Sequence, residues 1–290
     1  MAELQRIAAH LIWLGTHVLD IGATTPIFYT FREREDILRI FEEVAGGRLT
    51  PTYLRIGGVA KDLPDGIMEK IKTFAQTFPY HVNEYETLLT KNVIWLKRTK
   101  EVGIISKEDA INWGVTGPTL RGSGVKWDVR KAFPYSNYEE FEFDIPIGSI
   151  GDVYDRYYVR LREMEWSNAI VKQALDRLPK GPILADDPRV VLPEKEMVLN
   201  DIASLIRQFK IVSEGFTPPK GEVYASVEAS KGELGFYIIS DGSNHPFRFR
   251  IRPPSFLNLS ALPKMIEGSL IADVVSAIGS IDIVLGEIDR

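Results

Sequence analysis

A mainly helical (α+β) fold, with one small antiparallel β excursion in its C-terminal third, follows from three features of this 290-residue chain. Leu4, Ile7, Ala8, Leu11, Leu14 and Val18 recur at the three-to-four-residue spacing of one helix face. The stretch from Asp152 to Leu178 meets no breaker until Pro179 and Gly181, and predicts the longest helix. After Gly221 the period drops to two, with Val223, Ala225 and Val227 alternating, and then Phe247, Phe249 and Ile251. One domain is expected over 1–290, with a β-rich subregion over 221–256.

The first helix has no capping residue before it, which reads as a start inside a helix. Asp20 to Pro26 reads as a break, and a second helix is predicted from about Phe31 to Val44, stopped by Gly46-Gly47. Arg48 to Pro64, with paired glycines and a proline, is a structured loop. Gly66 to Glu101 is predicted helical with an interruption near Pro79. Ser106 followed by Asp109 resembles a capping box and opens a short helix. Gly114 to Pro146 reads as an irregular excursion, and another helix is expected from Lys195 to Val212. Lys231-Gly232-Glu233 and Asp241-Gly242 supply turns between strands. Arg248, Arg250 and Arg252 share one face of the last strand, which reads as solvated. A closing helix is predicted near Leu262 to Ala277, ahead of an apolar tail.

Composition removes several function classes. Hydrophobic residues make up 44% of the chain, enough for a sizeable core. A formal charge of −5 supplies no general field for nucleic acid. Without cysteine the chain has no disulfide, thiolate nucleophile or Cys-ligated metal centre of its own. The most apolar stretch, Leu270 to Leu285, is interrupted by Asp273 and Asp282 and falls short of the ~20 apolar residues of a membrane span. Gly114-Val-Thr-Gly-Pro-Thr-Leu-Arg-Gly-Ser-Gly124 lacks the Lys-Ser/Thr ending of a phosphate loop and the dinucleotide-fold glycine spacing. His10, His17, His81 and His245 have no zinc-motif spacing and read as structural or surface residues, and no Gly-x-Ser-x-Gly elbow occurs. The charges from Arg32 to Glu43 read as a solvated helix face with i,i+4 pairs.

Three phrases point further: Tyr53-Leu-Arg-Ile-Gly-Gly-Val59, Tyr154-Asp-Arg-Tyr-Tyr-Val-Arg-Leu-Arg-Glu-Met164 and Gly279-Ser-Ile-Asp-Ile-Val-Leu-Gly-Glu-Ile-Asp-Arg290. With Glu3-Leu-Gln-Arg-Ile7, His10-Leu11, Leu14-Gly15-Thr16, Leu19-Asp-Ile-Gly-Ala23 and Phe31-Arg-Glu-Arg-Glu35, they run in an ordered series. The series continues through Asp62-Leu-Pro64, Gly117-Pro118, Leu120-Arg121, Asp128-Val-Arg-Lys131, Lys231-Gly-Glu233, Ser240-Asp-Gly242 and Arg250-Ile-Arg252. The chain resembles the quinone-site subunit of respiratory NADH dehydrogenase, the 49-kDa or D-type subunit of complex I. The resemblance covers almost the whole length.

The resemblance implies a helical core like that of the nickel–iron hydrogenase large subunit. Gly286-Glu-Ile-Asp-Arg290 stands where those enzymes carry a terminal cysteine motif, so nickel chemistry is not implied. What is implied is a quinone pocket beside a 4Fe-4S cluster held by a partner subunit, in a proton-pumping complex that uses NAD(H) as a whole. This chain alone binds neither cofactor nor metal in that picture. Expected partners are the iron–sulfur subunit with the terminal cluster, the C-type 30-kDa subunit, the I-type ferredoxin-like subunit and the quinone-channel membrane subunit. The expected place is peripheral, on the cytoplasmic side of the inner membrane.

By the same resemblance Asp20 matches the aspartate that supports the family's headgroup histidine, and Asp282 matches a second carboxylate of the pocket region. Arg48, Arg55 and Arg121 fall in the electropositive surroundings, where structural ion pairs explain them equally well. Thr50, in Gly47-Arg-Leu-Thr-Pro51, stands where many members carry a histidine that contacts the cluster. The family's headgroup histidine and tyrosine belong to a segment before Met1, so the chain reads as N-terminally truncated. Two alternatives stay open: a non-catalytic paralogue that scaffolds the complex, and the equivalent subunit of a complex with another electron donor.

Overall fold

A computed structural model describes residues 1–289. Its centre is α1 (Ala2–Asp20), which turns back through four residues into α2 (Thr25–Ala45). The two lie antiparallel in close contact, because Gly15 leaves room for Ile27 and Thr30. α2 begins six residues before the expected Phe31, since Pro26 sits in its first turn, where a missing N–H costs nothing. It ends as expected at Gly46, which adopts φ 75° and donates its N–H to the Glu42 carbonyl at 2.9 Å.

The predicted interruption at Pro79 is absent, as α3 (Ile67–Leu89) passes straight through it. A proline there leaves the carbonyl of Ala75 without its helical donor. Asn168 fills the gap from another helix, donating Nδ2–H at 2.9 Å. The break falls instead at Thr90–Asn92, where Asn92 caps α4 (Val93–Thr99) by accepting from Ile94 and Trp95. Residues 46–60 form the loop expected there, tied down by the two-residue strands β1 (Leu54–Arg55) and β2 (Gly58–Val59). The strap at 183–185 locks this small hairpin, through Val59 N–H to Ile183 O at 3.2 Å and Ala185 N–H to Gly57 O at 2.7 Å.

Ser106 caps α5 (Lys107–Asn112) through the Asp109 N–H, as its capping box implies. The stretch read as irregular holds two short α-helices, α6 (Gly117–Gly122) and α7 (Val129–Ala132), the latter capped by Asp128, and a 3-10 turn at Tyr138–Glu140. α8 (Val153–Asp176) is the longest helix, capped by Asp152. The helix expected over Lys195 to Val212 is two, α9 (Lys195–Asn200) and α10 (Ile202–Ser213), because Asp201 leaves helical geometry to cap the second.

β3 (Gly221–Ala229), β4 (Gly232–Ser240) and β5 (Arg248–Arg252) form an antiparallel sheet in that order. Gly117 and Gly232 meet backbone to backbone, so the β3–β4 turn docks onto the start of α6 with no room for a side chain at either. Arg248 and Arg250 are exposed as expected, whereas Arg252 turns inward and donates to the carbonyls of Glu233 and Gly114. The closing region comprises α11 (Pro254–Ser260), α12 (Leu262–Ile266), α13 (Ile271–Ile281) and α14 (Leu285–Ile288). The single helix expected over Leu262 to Ala277 is thus broken at 267–270, where Gly268 takes φ 77°.

The main core joins Leu4, Ile7, Leu11 and Leu14 of α1 to Ile37 and Phe41 of α2, Phe74 and Phe78 of α3, and Leu161 and Met164 of α8. Each such side chain, fully buried, contributes roughly 1.5–3 kcal/mol. α1 is therefore largely enclosed by other elements: Gln5, Thr16 and Asp20 stay exposed, while Glu3, Arg6, His10 and His17 are buried with the apolar face.

Candidate functional site

Glu3, Arg6, His10, Trp13 and His17 follow one another at intervals of three and four along α1, forming a second stripe beside the apolar one. All five are buried. Arg156, Arg160, Glu163 and Ser167 repeat the pattern on α8 and face them. Burying ionised groups is costly unless each is paired and hydrogen-bonded, and most of these are.

Arg121 of α6 is fully buried at the middle of the cluster. It donates to Glu163 Oε1 at 2.7 Å, to Glu228 Oε1 at 2.9 Å and to the Trp127 carbonyl at 2.9 Å. Arg130 grips Asp128 with Nε and Nη2 at 3.0 and 2.7 Å, and reaches Glu3 at 3.1 Å. Tyr138 also donates to Glu3. Arg6 binds Glu3 at 3.3 Å and the carbonyls of Glu228 and Ala229 at 2.6 and 3.0 Å. His10 Nε2 lies 3.0 Å from Glu163 Oε2.

Three guanidiniums thus face the four carboxyls of Glu3, Asp128, Glu163 and Glu228. Burial works against every one of the carboxylates, and Arg6 with Arg130 still holds Glu3 down at about 2. Arg121 and His10 likewise hold Glu163 well below the usual range despite its burial. Glu228 goes the other way, because burial and the neighbouring Asp128 outweigh Arg121. Burial drives the imidazoles of His10 to about 4 and His17 to about 3, so both are neutral near pH 7. With Glu163 ionised, His10 donates from Nε2, which leaves its buried Nδ1 without a partner.

The closing tail meets this cluster at Asp282, the residue after α13. Asp282 takes the left-handed conformation at φ 61° and ψ 56°. Its side chain is 8% exposed and lies 2.5 Å from Lys231 Nζ, on the β3–β4 turn. Burial pushes its carboxyl up, against the pull of Lys231 and Arg160.

The six residues singled out from sequence occupy three places. Asp20 is exposed as the last residue of α1, and a negative charge there opposes the helix dipole. Arg48, Thr50 and Arg55 lie beyond the end of α2, at the opposite end of the α1–α2 hairpin, about 28 Å away by helix rise. Thr50 is exposed, Arg48 pairs with Glu35 and Glu42 at 2.6 and 3.1 Å, and Arg55 is exposed with Nε 3.4 Å from the Thr52 carbonyl. Arg121 sits inside the ion cluster, and Asp282 lies at its edge, with Arg160 near both.

Glu33, read as part of a solvated face, is buried instead, where it accepts from Tyr85 and from Arg32 at 2.5 Å. The α1 and α8 stripes are not evident from the sequence reading; charges recurring at helical spacing within the apolar α1 are a usable sign, whereas α8 carries charge along its whole length. An open groove of about 880 Å³, lined by Arg189, Ile206, Arg207, Lys210 and Phe216 among others, contains none of the six residues.

Among the described residues no group of three or more His, Cys, Asp or Glu is placed to hold a metal ion. No described helix is long and apolar enough to cross a membrane.

Fold and site together define a mainly helical protein with a buried cluster of charged groups centred on Arg121 and the Asp282 carboxyl at its edge. The sequence model of the family described as respiratory-chain NADH dehydrogenase, 49 Kd subunit, matches residues 20–290. The D-type subunit of NADH-quinone oxidoreductase from Geotalea uraniireducens is 57% identical over 290 residues, covering 100% of this chain and 74% of that protein. The subunit of the same name from Geobacter sulfurreducens is 56% identical with the same coverage. That of Methylacidiphilum infernorum is 52% identical over 289 residues, covering 100% of this chain and 69% of that protein. The chain belongs to the 49-kDa subunit family of respiratory NADH dehydrogenase, and so to an oxidoreductase complex.

Proposed function

We propose that this chain forms part of the quinone-reduction pocket of its complex, with Asp282 as a proton-holding carboxyl of that pocket. The observation that carries the reading is the placement of Asp282, a nearly enclosed carboxyl whose proton affinity burial raises while Lys231 and Arg160 restrain it. A buried carboxyl whose proton affinity is raised above the ordinary aspartate value, with cations beside it to accept its charge, is suited to hold and pass on a proton.

Reduction of a quinone to a quinol takes two electrons and two protons. The electrons come from the terminal 4Fe-4S cluster of the neighbouring iron–sulfur subunit, and this chain's part is to orient the headgroup and help deliver protons. Asp20, on the exposed end of α1, orients a histidine of the pocket through a carboxylate–imidazole hydrogen bond. Thr50, Arg48 and Arg55, on the far loop, face the cluster-bearing subunit. Arg121 acts from the interior by keeping Glu163 ionised. The 30-kDa, ferredoxin-like and quinone-channel membrane subunits complete the surroundings. The chain sits peripherally on the cytoplasmic face of the membrane, and quinone turnover is coupled through these partners to proton translocation.

The test uses the intact complex carrying Asp282→Asn. NADH oxidation by ferricyanide, a donor-side activity of other subunits, is expected to persist while reduction of decylubiquinone falls at least tenfold. Unchanged quinone kinetics would remove Asp282 from the pocket.

A further inference from the structure

Arg156 and Arg160 are fully buried, yet among the described residues none of the hydrogen bonds they form goes to a carboxylate. Arg156 donates to Ser280 Oγ at 2.8 Å and to the carbonyls of Gly151 and Gly103 at 2.9 and 2.8 Å. Arg160 donates to the carbonyls of Ser280 and Ile281 at 2.7 and 3.2 Å. Its guanidinium lies 4.3 Å from the centre of the Trp13 ring, and Trp13 Nε1–H donates to the Gly279 carbonyl at 2.7 Å.

The last three carbonyls of α13 therefore each receive a side-chain donor from α1 or α8. Helix C-terminal carbonyls are otherwise left to water or to a glycine cap. Here a cation on an aromatic ring performs that task, and the residue immediately following is Asp282 in the left-handed conformation. A non-glycine residue is held there only when its surroundings fix it. For stability alone, two buried cations with no carboxylate contact are a poor solution, since a neutral donor would cap the helix at lower desolvation cost.

We propose that Arg160, seated on Trp13, is the positioning residue that holds the end of α13 and thereby aims the Asp282 carboxyl into the quinone pocket. The inference rests on the pocket reading above. The charged groups facing Asp282 are Arg160 from α8, Lys231 from the β3–β4 turn and Glu287 from α14. Removing Arg160 takes away one of the two cations that favour the ionised carboxyl. The proton affinity of Asp282 then rises, and any pH limb it governs moves to higher pH.

The experiment compares Arg160→Met, Arg160→Lys and Asp282→Asn in the purified intact complex, with ferricyanide and decylubiquinone as acceptors over pH 5.5 to 9. For Arg160→Met, kcat with decylubiquinone should fall tenfold or more at ferricyanide activity within twofold of wild type. The pH limb that Asp282→Asn abolishes should move upward. Arg160→Lys keeps the charge but cannot span both carbonyls with a planar fork, so it should recover part of both effects. Should Arg160→Met fail to assemble, Arg160→Lys decides alone: kcat lowered threefold or more at preserved ferricyanide activity supports positioning, and wild-type quinone kinetics overturns it. A limb that stays in place in Arg160→Met, or parallel loss of both activities in an assembled complex, also overturns it. If Asp282→Asn itself leaves the quinone kinetics and their pH profile unchanged, the pocket reading fails and the inference fails with it. If Asp282→Asn acts and the Arg160 variants do not, only the positioning role is lost.

Discussion

Asn168 of α8 donates its Nδ2–H to the carbonyl of Ala75 on α3 at 2.9 Å, supplying the hydrogen bond that Pro79 cannot make. The contact lets a proline sit in mid-helix without a break, and joins α3 to α8. Asn168→Ala leaves a buried carbonyl unpaired and should destabilise the protein by about 1–3 kcal/mol. Pro79→Ala restores the helical donor, so the two substitutions should be non-additive in urea denaturation, with Asn168→Ala much cheaper in the Pro79→Ala background. Simple additivity would show that the side chain does not stand in for the missing N–H.

Acid should destabilise the fold earlier than its carboxylates alone would dictate. His10 and His17 have folded-state pKa values of about 4 and about 3 against 6.5 for free imidazole, so the unfolded chain takes up protons first as pH falls. The penalty is nil above about pH 6.5 and for His10 grows down to about pH 4, reaching roughly 3 kcal/mol. Below the ordinary Glu value of 4.5, protonation of the unfolded chain at Glu3 and Glu163 adds to the loss, since both are held low in the fold. Urea midpoints measured from pH 7.5 to 4 should therefore decline from near pH 6.5. His10→Gln, which keeps a donor for Glu163, should flatten that slope. An unaltered slope in the variant would exclude His10 as its source.

Close approach at Gly279 makes a third test. A Cβ added there would lie 2.2 Å from His17 Nδ1 and 3.0 Å from its Cε1, with the ring already stacked on Trp13 at a centroid distance of 5.4 Å. Gly279→Ala should lower stability by about 1–3 kcal/mol through overpacking. His17→Ala opens the space, so the double variant should lose less than the sum of the single losses in thermal unfolding. A fully additive pair would show that the strain is taken up elsewhere.

In the function proposed above, Thr50 faces the iron–sulfur cluster of the partner subunit. It is exposed on the loop after α2 and has no proton to exchange near neutral pH. A redox titration of the assembled complex, followed by the cluster's electron paramagnetic resonance signal, should give a midpoint potential nearly flat between pH 6 and 8. Thr50→His should introduce a slope, bounded by ~59 mV per pH unit for a one-electron couple. A steep slope in the unmodified complex would mean that another titrating group controls the cluster.

Most of the secondary structure was legible because helix and strand periods are local properties. The apolar spacing on α1, the glycine stop after α2, the capping serine of α5, the uninterrupted α8 and the alternation in β3 to β5 all lie within a few turns or residues of their cause. Two departures have the opposite origin. Pro79 continues its helix because of a residue 89 positions later, and Gly117 needs its small size because of Gly232 on a distant turn. Asp201 was a capping signal available in the sequence and passed over.

The sequence by itself determined the mainly helical architecture, the late antiparallel sheet and the family, through ordered motifs spread over nearly its whole length. The tertiary structure decided what its charged residues are. Charge run and buried ion cluster look alike in one dimension, since both are polar residues at helical spacing. Only once α1 is enclosed by α2, α8 and α13 do Glu3, Arg6 and His10 lose water and take Arg130, Glu228 and Glu163 as partners. The same enclosure turns Arg160 from one basic residue among many into the cap of α13, because desolvation makes each remaining acceptor within reach decisive.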